Sequence, residues 1–236
     1  MSIRLTQAAV PVFLTEIVYS QFYFMKEVSF MSTKNNIKIR YLVFTAVFSA
    51  ISVVLMYLEI SIPIVPSFIK FDFSDLPALI CSFAFGPLYG VLVCLLKNLL
   101  HLFASQSAFI GELANFLMGS IFALAAGTFY KFHKTRRGAV MSSVVASFSM
   151  GVLSLPINYF VIYPLYYKVL GLPQEAILGM YKALVPSVNS IFGALCLFNL
   201  PFTICKGLIV SLIAFFIYKP LSPLLKYGRK NKPAQF

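Results

Sequence analysis

Three polar side chains lie on one stripe of a long apolar segment near the end of the chain. Asn199, Thr203 and Lys206 are separated by four and three residues, which places them on the same side of an α-helix. A lysine this deep in an apolar segment needs a carboxylate, a carbonyl oxygen or a ligand as its acceptor. We interpret the stripe as the wall of a binding pocket, with a structural polar network as the alternative.

Other polar residues of the apolar segments are candidates for the same site. Glu112 could accept hydrogen bonds from ligand hydroxyl or N–H groups, or be a carboxylate favoured by the dipole at a helix start. The Asn158 amide offers a donor and an acceptor, either to a ligand or to a neighbouring helix. For Lys97 we favour a structural role, either reaching the interface or pairing internally. The sequence has no nucleophile–base arrangement, phosphate-binding loop or metal-ligand cluster, so binding is favoured over catalysis.

The composition requires membrane helices to position these residues. Of 236 residues, 60% are hydrophobic and 11% are charged, against about 45–50% and about 25% in soluble proteins. The mean hydropathy is +0.88. These values exclude an ordinary soluble domain and indicate an all-α integral membrane protein. The four cysteines form no CxxC pair, so we expect small core residues rather than disulfides or zinc ligands.

Six apolar segments predict six transmembrane helices. Prolines divide them, because the ring removes a backbone donor and disfavours helix in the preceding residue. The second segment is short for a span, which needs roughly 20 residues, so we expect it to be tilted, extended into its flanks or only partly spanning. The segments are about Tyr41–Leu58, Leu76–Phe85, Leu88–Phe103, Glu112–Tyr130, Val140–Leu165 and Ala194–Tyr218.

The net charge of +12 is concentrated in alternate loops. Basic loops mark the cytoplasmic side of a membrane, so the charge indicates topology rather than nucleic-acid binding, and it places both termini in the cytoplasm. The opposite connectors hold only Lys70, Lys168 and Lys182. Twelve of the 19 basic residues fall in the predicted cytoplasmic loops: Lys34, Lys38, Arg40, Lys131, Lys134, Arg136, Arg137, Lys219, Lys226, Arg229, Lys230 and Lys232.

The predicted domains are an N-terminal extension at 1–33, a six-helix domain at 34–226 and a basic tail at 227–236. The first thirty residues lack the hydrophobic core and cleavage site of a signal peptide. Met31 would make a plausible start, so we interpret the extension as dispensable, with an amphipathic surface helix as the alternative.

Small residues mark two helix faces that allow close approach. Ala46 and Ala50 lie four residues apart in the first span. Gly119, Ala123 and Gly127 form a second stripe in the fourth span, which we interpret as internal packing.

Several motifs resemble the riboflavin-specific substrate-binding subunits, or S components, of energy-coupling factor (ECF) vitamin transporters. The Asp-Phe-Ser-Asp-Leu-Pro motif at 72–77, joined to Phe-Gly-Pro at 85–87, is the most specific part. Supporting matches are Gly111-Glu112, Asn115-Phe116 and the ending from Phe202 through Lys206 to Val210. The resemblance extends from about Lys34 to Lys226.

The resemblance implies a bacterial cytoplasmic-membrane subunit that captures riboflavin from outside. Such a subunit catalyses no reaction, uses no cofactor and docks on a transmembrane partner and two cytoplasmic ATPases. The resemblance assigns Ala46 and Ala50 to the docking surface. It places the pocket near the outer face, with Phe68 and Lys70 in a lid and with Glu112, Asn158 and Lys206 in the helices.

One position departs from the family pattern. Thr203 lies three residues before Lys206, where family members often have asparagine. Asn199, one turn earlier, is the alternative for this role, so the span-six contacts to the ribityl chain stay open.

The chemistry of riboflavin fits the residue types. Aromatic and aliphatic side chains suit its flat tricycle, and a few amide, carboxylate and ammonium groups suit its polar edge and ribityl chain. Because the vitamin is neutral, Glu112 and Lys206 would act as hydrogen-bonding groups rather than as an ion trap. We expect all these groups to converge on one cavity on the extracellular side.

Other functions remain as alternatives. The ligand could be another vitamin or a flavin derivative such as FMN, whose phosphate would favour more basic residues at the entrance than Lys70 alone. A secondary transporter would need coupling carboxylates deep in several spans, where Glu112 is a single candidate at an edge. A membrane enzyme lacks support.

Overall fold

The computed structural model describes residues 37–66, 68–105 and 107–227. The chain divides into two compact units, Met1–Phe44 and Thr45–Phe236, and all contacts given below belong to the second. The predicted extension at 1–33 lies outside the described residues. So do the tail after Tyr227 and the basic side chains predicted for the loops at 34–40 and from 219 onward.

Helices make up most of the described chain. A two-stranded antiparallel hairpin pairs β1 with β2 in the connector after the first helix. A short 3-10 turn, Leu102–Ala104, follows the third helix. The elements are α1 Ile37–Tyr57, β1 Ile60–Ser61, β2 Lys70–Phe71, α2 Asp75–Phe85, α3 Pro87–His101, α4 Ile110–Phe132, α5 Arg136–Ile157, α6 Tyr163–Val169, α7 Gln174–Lys182, α8 Ile191–Ala194 and α9 Leu200–Tyr227.

Four helical segments are long and apolar enough to cross a membrane: Pro87–Ala104, Ile110–Phe132, Arg136–Val169 and Ile191–Ile217. Two shorter apolar helices, Tyr41–Tyr57 and Asp75–Phe85, account for the remaining predicted segments. The prediction of an all-α membrane protein is therefore confirmed. The second segment is an 11-residue helix, as short as its sequence indicated.

Two π-helical turns interrupt the long helical segments. Asn158–Ile162 joins α5 to α6, and Leu195–Asn199 joins α8 to α9. Each ends two residues before a proline, Pro164 and Pro201. A proline lacks the backbone donor and its ring crowds the carbonyl four residues earlier, so a wider turn relieves the clash. Both candidate asparagines, Asn158 and Asn199, therefore lie in π turns.

Close contact between α2, α3 and α4 depends on small residues. A Cβ atom on Gly90 of α3 would lie 2.8 Å from Ser82 Cβ and 2.9 Å from the Ala78 carbonyl oxygen, both in α2. It would also lie 3.0 Å from Ala123 Cβ of α4. The three helices thus approach one another closely at Gly90, because glycine has no side chain.

The predicted small-residue stripe of α4 faces the same helices. Gly119 lies against Asp75 and Cys94, while Gly127 lies against Ser82 and Pro87. Ala123, between them, is fully buried. The interpretation of this stripe as internal packing is confirmed.

The prediction that the four cysteines are core residues is only partly correct. All four are free, and Cys81 and Cys94 are buried. Cys196 is half-buried and Cys205 is exposed on α9, so the prediction was wrong for Cys205. An outward position is compatible with its small apolar character, because a lipid-facing surface is itself apolar.

We predict that Gly90→Ala destabilises the helix packing. The new methyl group overlaps atoms of α2 and α4 that cannot rotate away, so the cost is about 1–3 kcal/mol. Gly179→Ala in α7 is the matched control, because its Cβ meets no described atom within 4 Å. Thermal unfolding in detergent should show a lower midpoint for Gly90→Ala alone. Equal midpoints would contradict the close contact.

Candidate ligand-binding site

Four charged side chains from separate elements meet in the interior. We call Asp72, Asp75, Lys97 and Lys206 the charge quartet. Lys206 Nζ of α9 lies 2.9 Å from Asp72 Oδ2 and 3.2 Å from Asp75 Oδ2. Lys97 Nζ of α3 lies 2.6 Å from Asp75 Oδ1. Two carboxylates thus balance two ammonium groups, and the quartet carries no net charge.

Neutral side chains complete the hydrogen bonding of the quartet. Lys97 Nζ donates to Ser74 Oγ at 2.6 Å, and the Ser74 hydroxyl donates to Asp72 Oδ1. The Ser74 backbone N–H donates to the same oxygen at 2.8 Å. Asn115 Nδ2 of α4 donates to Asp72 Oδ2 at 3.3 Å. Buried charges are tolerated only when they are paired and hydrogen-bonded in this way.

The pairing keeps the Asp72 carboxylate ionised. Burial alone would raise the pKa of this carboxyl, but the positive charges of Lys206 and Lys97 lower it by more, to below its usual range. The connector that ends at Asp72 is thereby fixed to α3 and α9.

Lys206 is the more exposed of the two lysines in the quartet. The Lys97 side chain is 0% exposed, whereas that of Lys206 is 11% exposed. An ammonium group has three donors, and Lys206 uses two of them on Asp72 and Asp75. Among the described residues no third acceptor is present. The third N–H of Lys206 therefore has no partner in the described part of the chain. Of the two structural roles considered for Lys97, reaching the interface and pairing internally, the structure shows internal pairing.

An aromatic cluster surrounds Phe68 of the connector. The Phe68 ring centroid lies 6.4, 5.9 and 6.0 Å from those of Tyr163, Tyr166 and Tyr181. The Tyr181 hydroxyl donates to Asn199 Oδ1 at 2.7 Å and is also hydrogen-bonded to the Tyr163 hydroxyl. Burial raises the pKa of Tyr181, so this hydroxyl stays a neutral donor. Phe68 therefore packs against all three tyrosines.

Glu112 is held by the loop that joins α3 to α4. Its Oε1 lies 2.9 Å from His101 Nδ1. Its Oε2 accepts hydrogen bonds from Ser105 Oγ at 2.8 Å and Ser107 Oγ at 3.3 Å. The carboxylate is buried, and these side-chain partners hold it in addition to any interaction with the helix dipole. In the hairpin connector, Lys70 forms an ion pair with Glu59.

The remaining predicted residues have fewer partners. Asn158 and Thr203 are half-buried, and neither side chain has a hydrogen bond to another described residue. Ala46 and Ala50 are exposed on α1, while Ser49 beside them is buried. An amide without an internal partner is a better candidate for ligand contact than one that is already bonded.

The seven predicted ligand residues therefore fall into separate contact groups. Lys206 belongs to the charge quartet, Phe68 and Asn199 to the aromatic cluster, Glu112 to the α3–α4 loop and Lys70 to the hairpin. The connector links three of these groups, because it carries Phe68, Lys70 and Asp72. The predicted convergence on one cavity, and each residue's role toward a ligand, stay predictions.

Sequence reasoning missed several partners in these groups. It did not assign Asp72 and Asp75 to the lysines, nor His101 to Glu112, nor Tyr181 to Asn199. The sequence did contain a signal for the lysine partners. The chain has only seven acidic residues, and two of them lie at the start of the short second helix, Asp72 just before it and Asp75 as its first residue.

Comparison with known proteins identifies the fold's family. Residues 40–218 match the family model described as ECF transporter, substrate-specific component. The chain belongs to this family. This S component is similar to the "Riboflavin transporter RibU" of Staphylococcus aureus, with 33% identity over 185 residues, covering 78% of this chain and 92% of that protein. It is 30% identical to the "Riboflavin transporter FmnP" of Bacillus subtilis over 195 residues, covering 81% and 97%.

A solved structure supports the same relationship. This S component superposes on the chain described as "Structure and mechanism of the S component of a bacterial ECF transporter" with a TM-score of 0.63. The identity is 32%, and the match covers 80% of this chain and 99% of the other. The family resemblance predicted from the sequence motifs is confirmed.

We predict that Lys97→Met destabilises this S component by about 3 kcal/mol or more, because it leaves a buried carboxylate without its closest cation. Lys182→Met removes the same charge from an exposed position without an ion pair among the described residues, and serves as the control. Thermal unfolding in detergent should separate the two variants. Identical unfolding midpoints would contradict a stabilising role for the quartet.

Proposed function

We propose that this S component binds riboflavin at the extracellular side of the membrane and delivers it for import. Sequence similarity to proteins named riboflavin transporters is the observation that carries the proposal. The chemistry of the candidate residues supports it, because the polar groups are neutral or internally balanced. A neutral, flat molecule with a hydroxylated tail suits such a site.

The parts of the ligand call for different side chains. Aromatic and aliphatic groups near Phe68 are suited to the tricyclic ring. The free N–H of Lys206 and the amide of Asn158 are suited to ribityl hydroxyls. So are Thr203 of α9 and Asn199 in the π turn just before it. Glu112 is suited to accept hydrogen bonds from ligand N–H or hydroxyl groups.

The connector between α1 and α2 acts as the lid in this proposal. Phe68 and Lys70 both lie in it, and the Phe68 ring packs against three tyrosines. Ligand entry displaces this ring, and the ring's return excludes water. The Asp72 ion pairs hold the end of the connector in place during the movement.

The subunit spans a bacterial cytoplasmic membrane six times in our proposal, with both termini in the cytoplasm. It catalyses no reaction and needs no cofactor. ATP is hydrolysed by two partner ATPases, which act through an ECF transmembrane subunit. Ala46 and Ala50, exposed on α1, form the surface on which that subunit docks. Residues 1–33 are dispensable, and the binding domain spans 34–226 before a basic tail at 227–236.

We predict that Asn158→Ala weakens riboflavin binding about three- to tenfold, the loss of one neutral hydrogen bond, without changing thermal stability. Asn199→Ala is the comparison, because it also breaks the bond to Tyr181 and should lower both affinity and stability. Quenching of riboflavin fluorescence measures affinity in detergent. Wild-type protein that does not quench riboflavin would overturn the proposed function.

We predict that Ala46→Trp and Ala50→Trp abolish riboflavin uptake by cells while leaving binding unchanged, because a large side chain blocks close helix approach. Thr128→Trp, at an exposed position of α4, is the control and should retain uptake. Loss of both binding and uptake in the alanine variants would contradict a docking role for this face.

A further inference from the structure

We propose that Asp72 and Asp75 make the site selective for uncharged ligands by neutralising Lys206 and Lys97. The inference rests on the proposed function, because it assigns Lys206 to ligand binding. It concerns the net charge of the ligand that the site accepts, which the ligand-contacting residues alone do not determine.

The quartet has no spare positive charge. Lys206 contacts two carboxylates at 2.9 and 3.2 Å, and Lys97 contacts one at 2.6 Å. Lys70, in the same connector as Asp72, is also paired, with Glu59. A phosphate entering near Lys206 would therefore meet two buried negative charges together with the one ammonium group that it needs.

A hydroxyl group and a phosphate would affect the charge balance of the quartet differently. A hydroxyl accepts the remaining N–H of Lys206 and leaves the charge balance unchanged. A phosphate monoester brings a charge of about −1.5 to −2 at pH 7, and burial of that charge is costly without an uncompensated cation. The same Lys206 thus favours a polyol and disfavours its phosphate ester.

Asp72 offers the sharpest variant of the quartet. Asparagine has nearly the same shape, so Asp72→Asn keeps the side-chain volume while it removes one negative charge. Lys206 would keep Asp75 as a partner at 3.2 Å. The quartet would then carry a net positive charge that a phosphate can balance.

The test compares riboflavin with FMN, its 5′-phosphate, by quenching of flavin fluorescence in detergent. Wild-type protein should bind riboflavin more tightly, and Asp72→Asn should shift the affinity ratio toward FMN by roughly tenfold. Glu175→Gln changes the net charge equally but lies exposed on α7, so its ratio should match the wild type. An unchanged ratio in Asp72→Asn, or an equal shift in Glu175→Gln, would overturn the inference.

Asp75→Asn should shift the ratio in the same direction, which keeps the test decisive if Asp72→Asn fails to fold. Where Asp72→Asn folds, the double variant Asp72→Asn/Lys206→Met restores neutrality and should return the ratio toward the wild-type value. Wild-type protein that binds FMN as tightly as riboflavin contradicts the inference without any variant. Wild-type protein that binds neither flavin instead refutes the proposed function, which separates the two failures.

Discussion

The ion pairs of Lys206 with Asp72 and Asp75 join parts of the chain that are distant in sequence. Lys206 and Asp72 are separated by 134 residues, and burying either charge without a partner of opposite charge would be costly. Through Asp75 the same network includes Lys97 of α3, and Asn115 adds α4. The connector, the short helix α2 and three longer helices must therefore be in place together. This constraint fixes one end of the connector, whereas Phe68 is held by apolar packing against the cluster that contains Tyr163, Tyr166 and Tyr181.

This arrangement combines a stable helical bundle with a polar group that can bind a ligand. Deep charges would be expected to destabilise a helical bundle, but here each carboxylate has a cation, and the quartet is neutral as a whole. The partly exposed Lys206 keeps one donor free. A site of this kind offers a strong hydrogen bond without a net field, which suits the capture of a neutral polyol from water. In our proposal, partner proteins supply the energy of transport.

Much of the helical framework could be predicted from local sequence. Hydropathy and prolines located the segments that became α1 to α5 and α9, and the short second segment was correctly distinguished. The pairing of Lys206 could be predicted only as a need for some acceptor, because spacing along α9 does not reveal a carboxylate from the connector. The bond from Tyr181 to Asn199 was missed, since a tyrosine in a polar loop looks ordinary in sequence. The π turns also carry no simple periodic signal.

A crystal structure of the protein with riboflavin would test the central claim most directly. Our account predicts a ribityl oxygen within hydrogen-bond distance of Lys206 Nζ, with Lys206 still paired to at least one of Asp72 and Asp75. It also predicts that the Phe68 ring has moved away from the tyrosines. Riboflavin bound elsewhere, with the quartet enclosed and the Phe68 contacts unchanged, would contradict the account.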